Sequence, residues 1–199
     1  LLRKRIIGVV TVLGGKAVQS FGYKRYLPVG EPEYQLENLD RWGADEILVH
    51  VIDRDQLGPD LRLLDRVASL GLSTPVIYGG GIRTVQDGRE VLMRGADRLT
   101  IDSIVHDDRK TVRTLSDQVG AQAIIASLPL EYHANKFWWF NYRTKEKVEL
   151  DSKIGKLFNS DVLSELLVVD YRHNGDFGQF DINLIRQFPF HQTRLIAFG

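Results

Sequence analysis

Seven short apolar runs punctuate the chain, at 5–12, 46–52, 75–78, 98–101, 122–128, 165–170 and 194–198. Most are runs of Val, Ile and Leu with little alternation, the pattern of strands covered on both faces. Between them lie stretches of helical character at 31–42, 59–70, 85–94, 107–119, 153–163 and 181–187. In Leu61, Leu64, Val67, Ala68 and Leu70 the apolar positions recur at the spacing of one helix face. Gly43, Gly71, Gly95 and Gly120 each follow a predicted helix, where a left-handed C-cap is wanted. Strand–helix alternation with short loops predicts an α/β fold with a parallel sheet. The longest irregular stretches are 13–30 and 129–152. The second contains 136–142 and 145–150, which read as a small hairpin inserted after the fifth strand, with Trp138 and Trp139 packing over the rim.

The segment ADEILVHVIDRD around the second strand resembles LSELLVVDYRHN around the sixth, so Glu46 and Glu165 occupy matching places. Two similar halves of four strand–helix units predict a (βα)8 TIM barrel of the phosphate-binding, half-barrel-repeat type. A doubly wound open sheet is the alternative, but it leaves the half-repeat unexplained. A (βα)8 barrel typically needs about 250 residues. With 199 residues, seven strands and six helices, the chain reads as a single barrel domain whose C-terminal unit is missing.

Composition narrows the partners. Hydrophobic residues make up 43% of the chain and charged ones 26%, the balance of a globular protein. Lys plus Arg number 26 and Asp plus Glu number 26, so no net field draws the protein to nucleic acid or an anionic membrane. There is no cysteine, which excludes disulfides, thiolate metal sites and cysteine nucleophiles. No apolar run reaches the roughly 18 residues of a membrane span, and the first residues lack a signal-peptide pattern. The expectation is a cytoplasmic protein.

The sharpest chemical signal is VIYGGGIRTVQDGREVLMRGADRLTIDS. Three glycines, Gly79 to Gly81, close a strand just before a helix, where backbone N–H groups can surround an anion. Asp102-Ser103 ends the next strand and adds further polar groups. Strand ends of this kind form the face on which barrel sites are found. Asn174-Gly175, with Gly199 after the seventh strand, is a second candidate on the same face.

Taken in order, LLRKRIIGVV, GADEILVHVID, PVIYGGGIRT, RGADRLTIDS, VGAQAIIAS and FDINLIRQF resemble the cyclase subunit of imidazole glycerol phosphate synthase, along the whole chain. The resemblance implies a barrel on whose N-terminal face a glutaminase docks. Ammonia then crosses the barrel core to a doubly phosphorylated substrate on the opposite face. It implies that Gly80, Gly81, Asp102 and Ser103 hold one phosphate and that Asn174, Gly175 and Gly199 serve the other. Asp102 stands where the family has Asn, and Asn174 where it has Asp. A carboxylate beside a phosphate is repulsive. No cofactor and no metal are implied.

The family's acid–base pair, two Asp residues ending strands one and five, aligns with Thr11 and Pro129. Neither exchanges a proton near neutral pH, so ordinary cyclase chemistry is not expected. Asp53, after strand two, reads as a solvated loop carboxylate. At the other end Arg5, Glu46, Arg98 and Glu165 fall at strand starts and align with the family's charged ring at the ammonia entrance. Guanidinium and carboxylate groups can pair around such an opening and re-pair to open it. An entrance kept while the acid–base pair is lost resembles a side branch that serves sugar amidation in surface-polysaccharide synthesis, beside a glutaminase-like partner and a sugar amidotransferase. Its first loop is similar: Gly14-Gly15, Val18, Phe21, Lys24, Tyr26, Gly30 and Pro32. The alternatives are a histidine-pathway cyclase (lyase) with substitute carboxylates, Asp53 or Asp102, and a non-catalytic phosphate-binding scaffold.

Overall fold

A computed structural model of the chain describes residues 4–150, 158, 161–190 and 193–199. Most of the helix expected at 153–163 lies outside them.

The chain divides into two compact units, 1–19 with Leu27–Thr100, and Ser20–Tyr26 with Ile101–Gly199. In the first unit the parallel strands are β1 (Ile7–Leu13), β4 (Glu46–Val51), β5 (Val76–Gly79) and β6 (Arg98–Ile101). They pair in that order, with Ile7 opposite Glu46, Ile47 opposite Val76 and Ile77 opposite Arg98. In the second unit β10 (Glu165–Asp170) lies between β7 (Ile124–His133) and β11 (Arg194–Phe198), parallel to both. These are the seven apolar runs, and their side chains are the core: Ile47, Val49, Leu99, Ile124, Leu128, Leu166 and Val168 are fully buried. Burying each stabilises the fold by about 1.5–3 kcal/mol.

The helices start where polar caps replace the orphan backbone partners. Pro32 opens α1 (Pro32–Arg41), and Asp60 accepts from Leu63 N–H at 3.0 Å to open α2 (Leu61–Ser69). In α2, Leu63, Leu64 and Val67 turn inward. α3 (Val85–Met93) begins with a reciprocal capping box between Thr84 and Asp87. The expected helix 107–119 is two helices, α4 (Ser103–Asp107) and α5 (Arg109–Val119). Asp108 leaves helical geometry between them and caps α5 by accepting from Lys110 and Thr111 N–H. The last helix, α6, is only Asn183–Arg186.

Two stretches differ from expectation. The irregular segment 13–30 is a hairpin, β2 (Lys16–Phe21) and β3 (Arg25–Gly30), with β2 antiparallel to β1. Gly14 and Gly15 both have positive φ, the two-residue turn that matches strand twist, and Gly14 N–H donates to Asp53 at 2.7 Å. Asp53 therefore braces this turn. β7 also does not stop before Pro129. It runs to His133, because β10 pairs with it through Pro129 and Leu130 while β8 (Lys136–Phe140) pairs from Leu130 onward. β8 and β9 (Lys147–Glu149) form the hairpin within 129–152. Among the described residues no helix is long and apolar enough to cross a membrane.

The hairpin is held on α4 by Trp139, whose ring stacks on His106 at 3.4 Å, and by an ion pair of Arg143 with Asp107. Burial pushes the His106 imidazole down to about 4, with Asp107 opposing and Arg109 assisting. The unfolded chain takes up this proton near pH 6.5 and the folded chain refuses it, so the contact loses stability as pH falls from about 6.5 to 4. His50, also held to about 4 by burial, acts in the same direction, whereas Asp102, raised to about 7, acts in the opposite one. The quantity to read is therefore a difference. In acid unfolding followed by tryptophan fluorescence, His106→Phe keeps the stacked ring and should flatten the stability loss between pH 6.5 and 4 relative to wild type.

Candidate functional site

Parallel α/β strands present ligands at their C-terminal ends. In the first unit that end carries the Gly79–Gly80–Gly81 turn. A Cβ at Gly79 would collide with Thr100 Oγ1, at Gly80 with the Val51 carbonyl, and at Gly81 with the Gly58 carbonyl. Gly80 and Gly81 also hold φ of +137° and +72°. Gly80 and Gly81, which meet backbone, are thus required by packing, while Gly79 faces only a side chain that can turn. The N-terminus of α3 is already served by the chain, since Asp87 accepts from both Arg83 and Thr84 N–H at 3.0 and 2.8 Å. An anion arriving there competes with that carboxylate.

Asp102 and Ser103 belong to the second unit, where Asp102 precedes the single turn and a half of α4. Burial, with Asp107 nearby, lifts the Asp102 carboxyl to about 7. A carboxyl raised in this way takes up a proton more readily than an exposed one, and when neutral it donates a hydrogen bond. Tyr23 and Tyr142 feel it too. Their rings lie 5.4 Å apart, and burial pushes both phenols well above their usual range.

In the second unit Asn174 and Gly175 lie against the hairpin tip Ser20–Tyr26, and Gly199 lies against Asp170 and Phe180. Gly22 N–H donates to the Asn174 carbonyl at 2.7 Å. A Cβ at Gly175, with φ +83°, would overlap the Ser20 carbonyl, and one at Gly199 would lie 2.9 Å from Asp170 Cβ. Asn174 is 4% exposed, and its side-chain Oδ1 has no partner among the described residues.

Thr11 sits in β1 opposite His50 of β4, which in turn faces Gly79 of β5. Pro129 sits in β7 opposite Val169 of β10. Sequence reasoning passed over His50, which burial keeps neutral between these two strands. It also passed over Glu131, two residues beyond Pro129. Glu131 takes ion pairs from Lys147 and Arg172 and a hydrogen bond from the Tyr171 hydroxyl at 3.2 Å. A carboxylate at the end of an apolar strand was the available signal.

At the strand starts of the first unit Glu46, 7% exposed, accepts from Arg5 Nη1 at 2.8 Å and Arg98 Nη1 at 3.1 Å. Three of the four expected charges are therefore brought together. Glu165 opens β10 in the second unit, 2% exposed, in register with Ile125 and Arg194.

The family model described as histidine biosynthesis protein matches residues 5–197. The chain belongs to the histidine biosynthesis protein family. Among its relatives in that family is the Vibrio vulnificus protein named as imidazole glycerol phosphate synthase subunit hisF2, 28% identical over 190 residues, 94% of this chain and 69% of the relative. The imidazole glycerol phosphate synthase subunit HisF of Leptospira biflexa is 28% identical over 204 residues, 100% of this chain and 80% of its own. That of Sulfurisphaera tokodaii is 29% identical over 191 residues, 92% and 75%. Within the histidine biosynthesis family the chain is therefore HisF-like, and its fold class is the (βα)8 barrel.

Proposed function

We propose that this HisF-like chain receives ammonia from a glutaminase partner at its strand starts and conducts it toward the strand ends for amidation of a phosphorylated small molecule, a sugar handled by a separate amidotransferase. The observation that carries the reading is Glu46, buried at the strand starts between two guanidinium groups, in a chain whose strand ends carry Thr11 and Pro129 where the resemblance asks for two carboxylates. Charge is costly to bury. Keeping it at the end of the strands where barrels normally need only stability, while the opposite end lacks the acid–base pair, fits a conduit better than a cyclase. Gly80, Gly81, Asp102, Ser103, Asn174, Gly175 and Gly199 remain the phosphate candidates, and Glu165 the fourth candidate gate residue.

The glutaminase-facing surface is supported by exposed apolar groups on the first unit. Ile6 before β1, Trp42 after α1 and Met93 at the end of α3 are 73%, 73% and 78% exposed, all at the end where the strands begin. Exposed aromatic and sulfur-containing side chains of this kind are typical anchors of protein interfaces. Trp42→Asp is expected to weaken glutaminase binding at least tenfold in calorimetry, with thermal stability unchanged. Undiminished affinity rejects this face. Turnover of the histidine-pathway substrate by the purified chain with ammonium salts would reject the whole reading.

A further inference from the structure

The loop after β10 holds a titratable pair that the proposed conduit does not use. Asp170, the last residue of β10, is 2% exposed. Its Oδ2 accepts from Asp181 N–H at 2.8 Å, and its Oδ1 from His173 N–H at 3.3 Å. His173 Nδ1 lies 3.0 and 2.9 Å from the two oxygens. A carboxylate only accepts, so Nδ1 carries a hydrogen, and whenever the ring is neutral Nε2 has the lone pair. The His173 side chain is 41% exposed, and among the described residues Nε2 has no hydrogen-bond partner. The next residue is Asn174, whose buried Oδ1 also lacks a donor. The orphaned buried acceptor of Asn174 calls for an explanation, and a ligand that brings hydrogens, within reach of the exposed Nε2 as well, is one. The neighbouring cations do not fill the need, since Arg172 and Lys147 are both committed to Glu131.

We propose that His173 is a proton-transfer base at the strand ends of the second unit, acting on a ligand that presents hydroxyl or amino hydrogens, with Asp170 positioning it. In the forward step Nε2 takes a proton from the ligand's O–H or N–H. The new N–H bond forms as the old bond breaks, the electron pair stays on the ligand's heteroatom, and the imidazolium charge is held against Asp170. The proton then returns to a leaving group or to water. An oriented His–carboxylate pair of this kind fixes the tautomer and stabilises the charge that develops. That the ligand is the nitrogen source on its way to the separate amidotransferase, ammonium giving up its proton to Nε2 before ammonia leaves the strand ends, rests on the proposed function, whereas the pair itself does not.

The test has three arms on the full chain. In protein labelled with 15N-histidine, long-range correlation spectra recorded where the ring is neutral should show His173 protonated at Nδ1 and bare at Nε2. The opposite tautomer overturns the proposal. Acylation by diethyl pyrocarbonate, mapped by mass spectrometry, should modify His173 at least as fast as the exposed His133. Asp170→Asn should slow His173 at least fivefold and leave His133 unchanged, and equal rates in the two proteins overturn the positioning role. If that variant does not fold, the tautomer decides. In the reconstituted amidation, His173→Gln should lower kcat at least a hundredfold with KM little changed, whether glutamine or ammonium supplies nitrogen, and full activity overturns the catalytic role. A wild-type complex inactive with both nitrogen sources counts against the proposed function, while the first two arms still judge the pair.

Discussion

Gly80→Ala is expected to destabilise the chain by about 3–5 kcal/mol, lowering Tm by about 10 °C or more in a scanning calorimeter. Two costs add. At φ +137° an L side chain is strained, by about 1–3 kcal/mol. The new methyl group would also overlap the Val51 carbonyl, and that backbone atom is fixed by the pairing of β4 with β1 and β5, so it cannot swing aside as a side-chain end would. The corresponding change in an open turn, Gly71→Ala, meets no atom within 4 Å and should cost about 1 kcal/mol from its φ alone. A Tm drop at Gly80 no greater than at Gly71 would show that the turn yields. The comparison separates a glycine demanded by packing from one demanded only by conformation.

Glu46→Ala should combine a loss of stability with a loss of one function only. Removing the carboxylate leaves Arg98, whose side chain is 14% exposed, with its charge poorly solvated, while Arg5 at 40% exposed recovers part of its hydration. Breaking a buried pair costs about 3–5 kcal/mol, and the solvation of Arg5 reduces this to about 2–3 kcal/mol. Amidation driven by glutamine is expected to fall at least tenfold, and amidation driven by added ammonium to stay within twofold. Glu46→Gln, which can still accept from one guanidinium, should fall between. Equal losses with both nitrogen sources would assign Glu46 a purely structural task.

The strand–helix order was legible because every parallel strand is an apolar run closed by a polar or glycine residue, and a sheet covered on both faces imposes that composition. The N-terminal hairpin was not. Its register depends on Gly14 and Gly15 both adopting positive φ, and Asp53, which ties down that turn, stands nearly forty residues along the chain. The continuation of β7 through Pro129 was hidden for a related reason. A proline argues against a central strand, yet the pairing simply resumes on either side of the missing N–H. Among the site residues, Glu46 and Glu165 stood out by their matching places in the half-repeat, whereas Arg5 and Arg98 were expected only from the family resemblance. The Asp170–His173 pair did not, because a histidine three residues beyond a strand gains meaning only when the loop folds back upon the carboxylate.

The hairpin tip has a consequence for the order in which this molecule can be made. Gly22 finds its partner in Asn174, which leaves the ribosome about 150 residues later, or about 8–30 s at ordinary synthesis rates. Until then the tip lacks this partner. The strands of the first unit have all emerged by residue 101 and can pair without it. A slowed ribosome would therefore prolong exposure of this tip more than that of any strand in the first sheet.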